Sequence, residues 1–450
     1  MGSEIAFVDS TTSSCNLESF LISSAFPTRA ARPAVAPYHY DVMTRSWSLL
    51  RPLFAGLALT VLQLAVVVGL LAPEGAVSYR YSTLNQHDSY WFMNIVDRGY
   101  QTIVPPVNHK VMEVSNVAFF PAYPAIAALL HYGLKIDTGS ALLITAQLAT
   151  WGFWSYFFLL CNRWDISPAL QVCGALLIVA HPAAFFLVAG YSESLFLMAL
   201  LGFVYWSSGN GRAAKFWAAL HGIVMSATRI VGIVCAAYPV VFSILTKGWN
   251  GSHESGARFR KHAPAIGLMF VGTLGALSFF IYCQLRWGHW DMYMLTQAAG
   301  WGIVPDYLAV FRPSNYRWLV PALNNPIEAS QMSMTLGALL LVAVTLSELL
   351  PAMRRQADWA TRGGLYFCAA VIFYISVSGV ACVEMESMLR YEFCVHALIV
   401  LALLNFLRQF RTLPVFVRAF GVVAVALVSA AGLSVQGWYV WNFTRGNWVA

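Results

Sequence analysis

The sequence predicts an all-α polytopic membrane protein of about eleven transmembrane helices, with an amphipathic helix in the first outer loop. Three observations predict it. Of 450 residues, 59% are apolar and only 10% are charged, against roughly 45–50% and about 25% in a soluble domain. Mean hydropathy is +0.63. Apolar runs of about 20 residues, enough to cross a bilayer as a helix, recur along the chain. So little charge cannot cover a soluble surface of this size. That excludes a soluble enzyme, a disordered chain and a nucleic-acid-binding module. The net charge of +7 belongs to cytoplasmic loops, not to a nucleic-acid site.

Taken in order, residues 1–45 carry Glu4, Asp9, Glu18, Arg29 and Arg32 without the apolar core of a cleavable signal peptide. They read as a flexible cytoplasmic tail, and residues 46–450 as one integral membrane domain. The apolar runs are 50–72, 117–134, 139–161, 167–189, 191–208, 213–228, 229–247, 263–285, 331–350, 364–382, 388–407 and 416–438. Arg29, Arg32, Arg45 and Arg51 place the N-terminus inside. Arg212 with Lys215, then Lys247 with Arg258, Arg260 and Lys261, mark two further inside loops. Arg354, Arg355 and Arg362 mark the next, and Arg408, Arg411 and Arg418 the last. Segments 73–116, 286–330 and 383–387 and the C-terminus then fall outside. An odd number of crossings must separate the 73–116 loop from the loop at Arg212, yet four runs lie there. The 117–134 run, cut by Pro121 and Pro124, is the one expected not to cross.

Cys161, Cys173, Cys235, Cys283, Cys368 and Cys394 fall in or beside apolar runs without metal-ligand spacing, and read as small buried hydrophobes. His109, His131, His181, His221, His289 and His396 are scattered, so no metal site is expected. Trp287, Trp290 and Trp301 read as an interface belt. There is no internal repeat of solenoid or transporter type and no nucleotide-binding or zinc-protease motif.

On this topology the unusual polar residues gather at the outer ends of spans. Asp88 opens a segment in which Trp91, Phe92, Ile95 and Val96 recur near helical spacing until Gly99, as in a short interfacial helix. Asp88 fits either a helix N-cap or a catalytic acid. Asp97 and Arg98 read as a solvated pair. Tyr191-Ser192-Glu193-Ser194 lies at one outer turn, where Glu193 is either a dipole-favoured first-turn acid or a site residue. Arg229 sits among Ala227, Thr228, Ile230 and Val231, and a buried guanidinium needs an anion. That anion is either Glu193 or a lipid phosphate. Glu384, Glu386 and Arg390 surround the last outer turn, where Arg390 has Glu386 one helical turn away as an available partner. Ionisable groups at the membrane are functional hypotheses by default. A transporter or lipid flippase is the rival class, but it predicts polar groups at the bilayer midplane.

These residues also carry a resemblance. Asp88-Ser89-Tyr90-Trp91-Phe92 with Arg98-Gly99-Tyr100, Phe119-Phe120-Pro121-Ala122-Tyr123-Pro124, Pro182 with Tyr191-Ser192-Glu193-Ser194-Leu195-Phe196, Thr228-Arg229 with Gly232, and Arg390-Tyr391 occur in that order. Over residues 50–450 the chain resembles the GPI mannosyltransferase 2 (PIG-V) family and its bacterial relatives, within the GT-C membrane glycosyltransferases. His87 departs from the family, which usually has Trp before the Asp. The end Phe443-Thr444-Arg445-Gly446-Asn447-Trp448-Val449-Ala450 is like endings of the bacterial relatives and points to a bacterial inner membrane before the endoplasmic reticulum.

The resemblance implies a GT-C-like fold and transfer of a hexose, mannose first, from a polyprenyl phosphate sugar to a glycolipid or glycan acceptor on the outer or lumenal face. It makes Asp88 the catalytic residue. Arg229, Arg390, Glu193, Tyr191 and Tyr123 form the expected substrate and donor-phosphate set. Neither a metal nor another cofactor is called for, nucleic acid is not a partner, and no partner subunit is identified.

Overall fold

The computed structural model describes residues 42–72, 75–102, 115–209, 211–247, 255–317, 325–349, 359–408 and 414–449. The expected tail at 1–45 lies outside them up to Val42. Residues Trp47–Ala450 form one compact unit. All regular structure among the described residues is helical.

Among the described residues, seven helices are long and apolar enough to cross a membrane, at Leu50–Leu71, Thr138–Arg163, Arg260–Trp287, Ile327–Leu349, Trp359–Val383, Met388–Leu407 and Val415–Phe443. The chain is an integral membrane protein. In chain order the helices are α1 (Val42–Ala65), α2 (Val77–Ser82), α3 (Asp88–Arg98), α4 (Ala122–Leu134), α5 (Thr138–Arg163), α6 (Pro168–Val179), α7 (Glu193–Ser207) and α8 (Arg212–Thr228). There follow α9 (Gly232–Cys235), α10 (Tyr238–Lys247), α11 (Ser255–Trp287), α12 (Met292–Trp301), α13 (Pro326–Leu349), α14 (Trp359–Val380), α15 (Met388–Leu407) and α16 (Val415–Phe443).

Hydropathy finds the segments, but several of the runs fold shorter than they read. The 117–134 run becomes α4, of 13 residues and so about 20 Å long, which is too short to cross. By the same measure the helices of the 167–189 and 191–208 runs, at 12 and 15 residues, are also shorter than a span. The 167–189 run ends its helix at Val179 after 12 residues, then passes His181 and Pro182 into a 3₁₀ turn at Ala184–Leu187. Pro182 removes the N–H that a continuing helix would need. The 191–208 and 213–228 runs form helices of 15 and 17 residues. The 229–247 run breaks into α9 and the 10-residue α10. Arg229 itself is extended, at φ −150°.

Burial sorts the long helices. In α15, 78% of the apolar window is buried inside the protein, against 6% in α16. The first is the central post and the second is largely exposed. Buried aromatics of α5 and α7, such as Phe153, Trp154, Phe157, Phe196 and Phe203, pack with Phe393 of α15 in one core. Lipid tails supply no hydrophobic drive between helices, so close packing matters. Between α8 and α11 it is set by glycine. A Cβ on Gly275 would stand 2.0 Å from the Ile223 carbonyl oxygen, and one on Gly222 would stand 2.8 Å from the Gly272 Cα.

Arg362, read as a loop marker, is instead fully buried near the start of α14. Its Nε and Nη2 donate to Glu348 at 2.5 and 3.1 Å. Gly275→Ala should force α8 and α11 apart at a cost of about 1–3 kcal/mol, typical of overpacking. A lower thermal unfolding temperature in detergent checks this, and an unchanged one contradicts the packing.

Candidate functional site

The amphipathic helix read from the first loop is α3, with Phe92, Ile95 and Val96 buried and Gly99 ending it at φ +72°. The N-cap position belongs to His87, which takes φ +50° and makes no side-chain cap bond. Asp88 is the first helical residue, and its carboxylate turns to another helix instead of the backbone. The cap reading therefore gives way. Behind α3, Ser89 donates to the Gly190 carbonyl at 2.9 Å, tying the helix to the turn that carries Tyr191 and Glu193. A Cβ on Gly190 would stand 2.2 Å from Asn85 Oδ1, so that turn depends on a glycine. Asp97 and Arg98 are both exposed, but Asp97 accepts from the Thr138 hydroxyl at 2.5 Å instead of pairing with Arg98.

Arg390, in the first turn of α15, reaches Asp88. Its Nη1 donates to Asp88 Oδ2 at 2.6 Å, and its Nε lies 3.2 Å from Glu193 Oε1. Arg229, just past α8, donates from Nη1 to the same Glu193 oxygen at 2.9 Å. Four charges thus alternate in the order Asp88, Arg390, Glu193, Arg229. The expected pairing of Arg390 with Glu386 is replaced by this arrangement. Glu386 is exposed at the cavity rim, and Glu384 is exposed away from it. For Arg229 the partner is Glu193, the structural one of its two readings.

Burial differs along the row. The side chains of Glu193 and Arg390 are 2% and 6% exposed, while those of Arg229 and Asp88 are 18% and 20% exposed. The inner pair is locked and the outer pair faces space. Rings shield the guanidinium groups from the sides. The Arg390 Cζ lies 5.1 Å from the ring centres of both Tyr191 and Tyr391, and the Arg229 Cζ 4.8 Å from that of Tyr391. Tyr191 donates its hydroxyl to the Gln86 carbonyl at 3.2 Å.

All four charges and Tyr191 line one cavity of about 710 Å³, within the range of small-molecule sites. Tyr123 does not. It is fully buried beside Phe92, and its hydroxyl donates to the Leu142 carbonyl at 2.8 Å. The structure gives it a packing place and not a binding one. Trp301, expected in an interface belt, stands in the cavity wall 5.3 Å from Trp91 and 5.8 Å from Phe119. Trp290 is 63% exposed. Sequence reasoning gave no site role to Trp448, which lines the cavity and sits 4.9 Å edge-on to His87. Tyr391, beside Arg390 in sequence, was legible only as a motif neighbour.

No family model and no curated protein matches the sequence. Among solved structures, the chain is similar to ArnT from Cupriavidus metallidurans bound to undecaprenyl phosphate, at 13% identity and TM-score 0.48, over 89% of this chain and 76% of that one. It is also similar to the oligosaccharyltransferase AglB from Archaeoglobus fulgidus in complex with an inhibitory peptide and a dolichol-phosphate. There the identity is 12% and the TM-score 0.47, over 88% of this chain and 56% of that one. An apo oligosaccharyltransferase from the same organism gives 12% and 0.47, over 91% and 57%. The chain thus spans little more than half the length of the oligosaccharyltransferases.

Truncating Arg390 leaves Asp88 without its partner and Glu193 with Arg229 alone. Arg390→Ala should cost about 3–5 kcal/mol, and adding Asp88→Ala should recover part of that loss. Thermal unfolding of both single variants and the double variant tests the coupling. Strict additivity contradicts the ion pair.

Proposed function

We propose that this chain is a membrane glycosyltransferase that moves a hexose from a polyprenyl phosphate carrier to an acceptor hydroxyl, with Asp88 as general base and Arg229 as the main phosphate contact. The carrying observation is that Asp88 and Arg229 line the same cavity as the two more exposed members of the charged row. Glycosyl transfer from a lipid phosphate asks for a base and a cation in one water-poor space.

The reaction assigns each group a task. Asp88 Oδ2 is held by Arg390, while Oδ1 has no hydrogen-bond partner among the described residues. Oδ1 takes the acceptor hydroxyl proton. The acceptor oxygen bonds to the anomeric carbon as the bond from that carbon to the phosphate oxygen breaks, with inversion. The lipid phosphate leaves as an anion and needs no proton, so one carboxylate suffices where glycosidases use two. The Arg229 side chain spends Nη1 on Glu193 and makes no other hydrogen bond among the described residues. Its remaining donors suit the phosphate oxygens on which charge grows. Glu193, an anion, would repel a phosphate, so its part is to hold both guanidinium groups. Trp91, Phe119 and Trp301 offer apolar faces to the sugar and the prenyl chain.

The PIG-V resemblance supports mannose as the sugar, a glycolipid or glycan as acceptor, and the outer or lumenal face as the site of reaction.

Asp88→Asn should keep the Arg390 contact in shape but lower transfer about 10²- to 10⁴-fold, the usual worth of a general base. Transfer of labelled sugar in isolated membranes measures this, and a near wild-type rate removes Asp88 from the role. Arg229→Ala leaves Glu193 beside Arg390, so the protein should still fold. Its kcat/KM for the polyprenyl phosphate sugar should fall roughly 10- to 150-fold, as for a lost charged hydrogen bond. An unchanged kcat/KM removes the phosphate contact.

A further inference from the structure

A second polar cluster stands apart from the cavity. His181 lies in the turn after α6, and Glu392 and His396 sit one helical turn apart on α15. One ligand atom from each lies within 4.8 Å of the other two. None of the three is among the residues lining the cavity. The Glu392 and His181 side chains are only 3% and 9% exposed. Two imidazoles around a buried carboxylate form a donor set that suits zinc.

The surrounding hydrogen bonds fix how each ligand would present itself. His396 Nε2 lies 3.2 Å from the Leu177 carbonyl, which can only accept, so Nε2 carries the proton and Nδ1 keeps its lone pair. The Ser333 hydroxyl donates to Glu392 Oε2 at 3.1 Å. Metal ligands usually have such outer partners, which orient them and fix the tautomer. His181 Nδ1 accepts from the Ala183 N–H at 3.1 Å, so its Nε2–H points at Glu392 Oε2, 2.8 Å away.

We propose that His181, Glu392 and His396 form a structural zinc site, with water completing the coordination. Tetrahedral ligands at about 2.0–2.1 Å from zinc stand about 3.3–3.4 Å apart. His396 therefore moves inward, and His181 separates slightly from Glu392. As zinc takes His181 Nε2, the proton there passes to Nδ1 and the Ala183 contact opens. The ring stays neutral, and two imidazoles and a carboxylate face a divalent charge. The ion ties the turn after α6 to α15, two residues from Arg390, and so holds the helix that aims Arg390 into the cavity. It is a positioning device and takes no part in sugar transfer.

Tag-free, chelator-treated full-length protein in detergent is dialysed against zinc alone and its metal content measured. One zinc per chain is expected, with affinity at least about tenfold weaker in Glu392→Gln and in His396→Gln. No retained zinc in the wild type overturns the proposal, as does unchanged affinity in either variant. Should a variant fail to fold, cobalt added to the wild type alone decides. Intense visible bands of a tetrahedral site support the proposal, and a featureless spectrum overturns it.

Discussion

Arg390 brings one positive charge into a wall of aromatic rings, and two carboxylates from other helices meet it there. Asp88 comes from α3, Glu193 from the first turn of α7, and Arg229 extends the row from the end of α8. Two cations and two anions cancel, so the row carries no net charge into its apolar surroundings. Taking Arg390 away leaves Asp88 unmatched and taking Glu193 away leaves Arg229 unmatched, whereas loss of Asp88 or Arg229 leaves the Arg390–Glu193 contact in place. This arithmetic locks together four segments that are up to 302 residues apart in sequence. It also gives the row two kinds of member: Arg390 and Glu193 are enclosed, while Asp88 and Arg229 keep a face toward the cavity.

The cavity opens where two helices stop short: α7 begins only at Glu193, and α8 gives way to extended backbone at Arg229. Irregular backbone at membrane depth is tolerated where it is buried in protein or lines a cavity. Here Thr228 to Val231 and Tyr191 to Glu193 do both, since most are buried and all line the space. The long helices supply the frame, with α15 as its central post.

Hydropathy made the long helices legible, because a run of about 20 apolar residues is rarely anything but a bilayer-spanning helix. It could not say where a run breaks, since His181-Pro182 and Arg229 are single interruptions in otherwise apolar sequence. The prolines at 121 and 124 were strong enough to be read, and α4 is indeed short. Asp88, Glu193, Arg229 and Arg390 were legible as ionisable residues at span ends. Their pairing was not. Sequence spacing offered Arg390 the nearby Glu386, whereas helix packing brought Asp88 and Glu193 closer. Tyr123 shared a motif with site residues, but its hydroxyl answers a buried backbone carbonyl. The His181, Glu392 and His396 cluster was invisible for the same reason as the Arg390 pairing: its first member is 211 residues from its second.

The central claim is that this charged row serves transfer and not transport. Purified protein in liposomes, given a polyprenyl phosphate carrying labelled mannose together with membrane glycolipid extract, puts it to the test. The account predicts label on an acceptor, with one unglycosylated polyprenyl phosphate released per sugar moved. Label that crosses the bilayer while remaining on its carrier would contradict it.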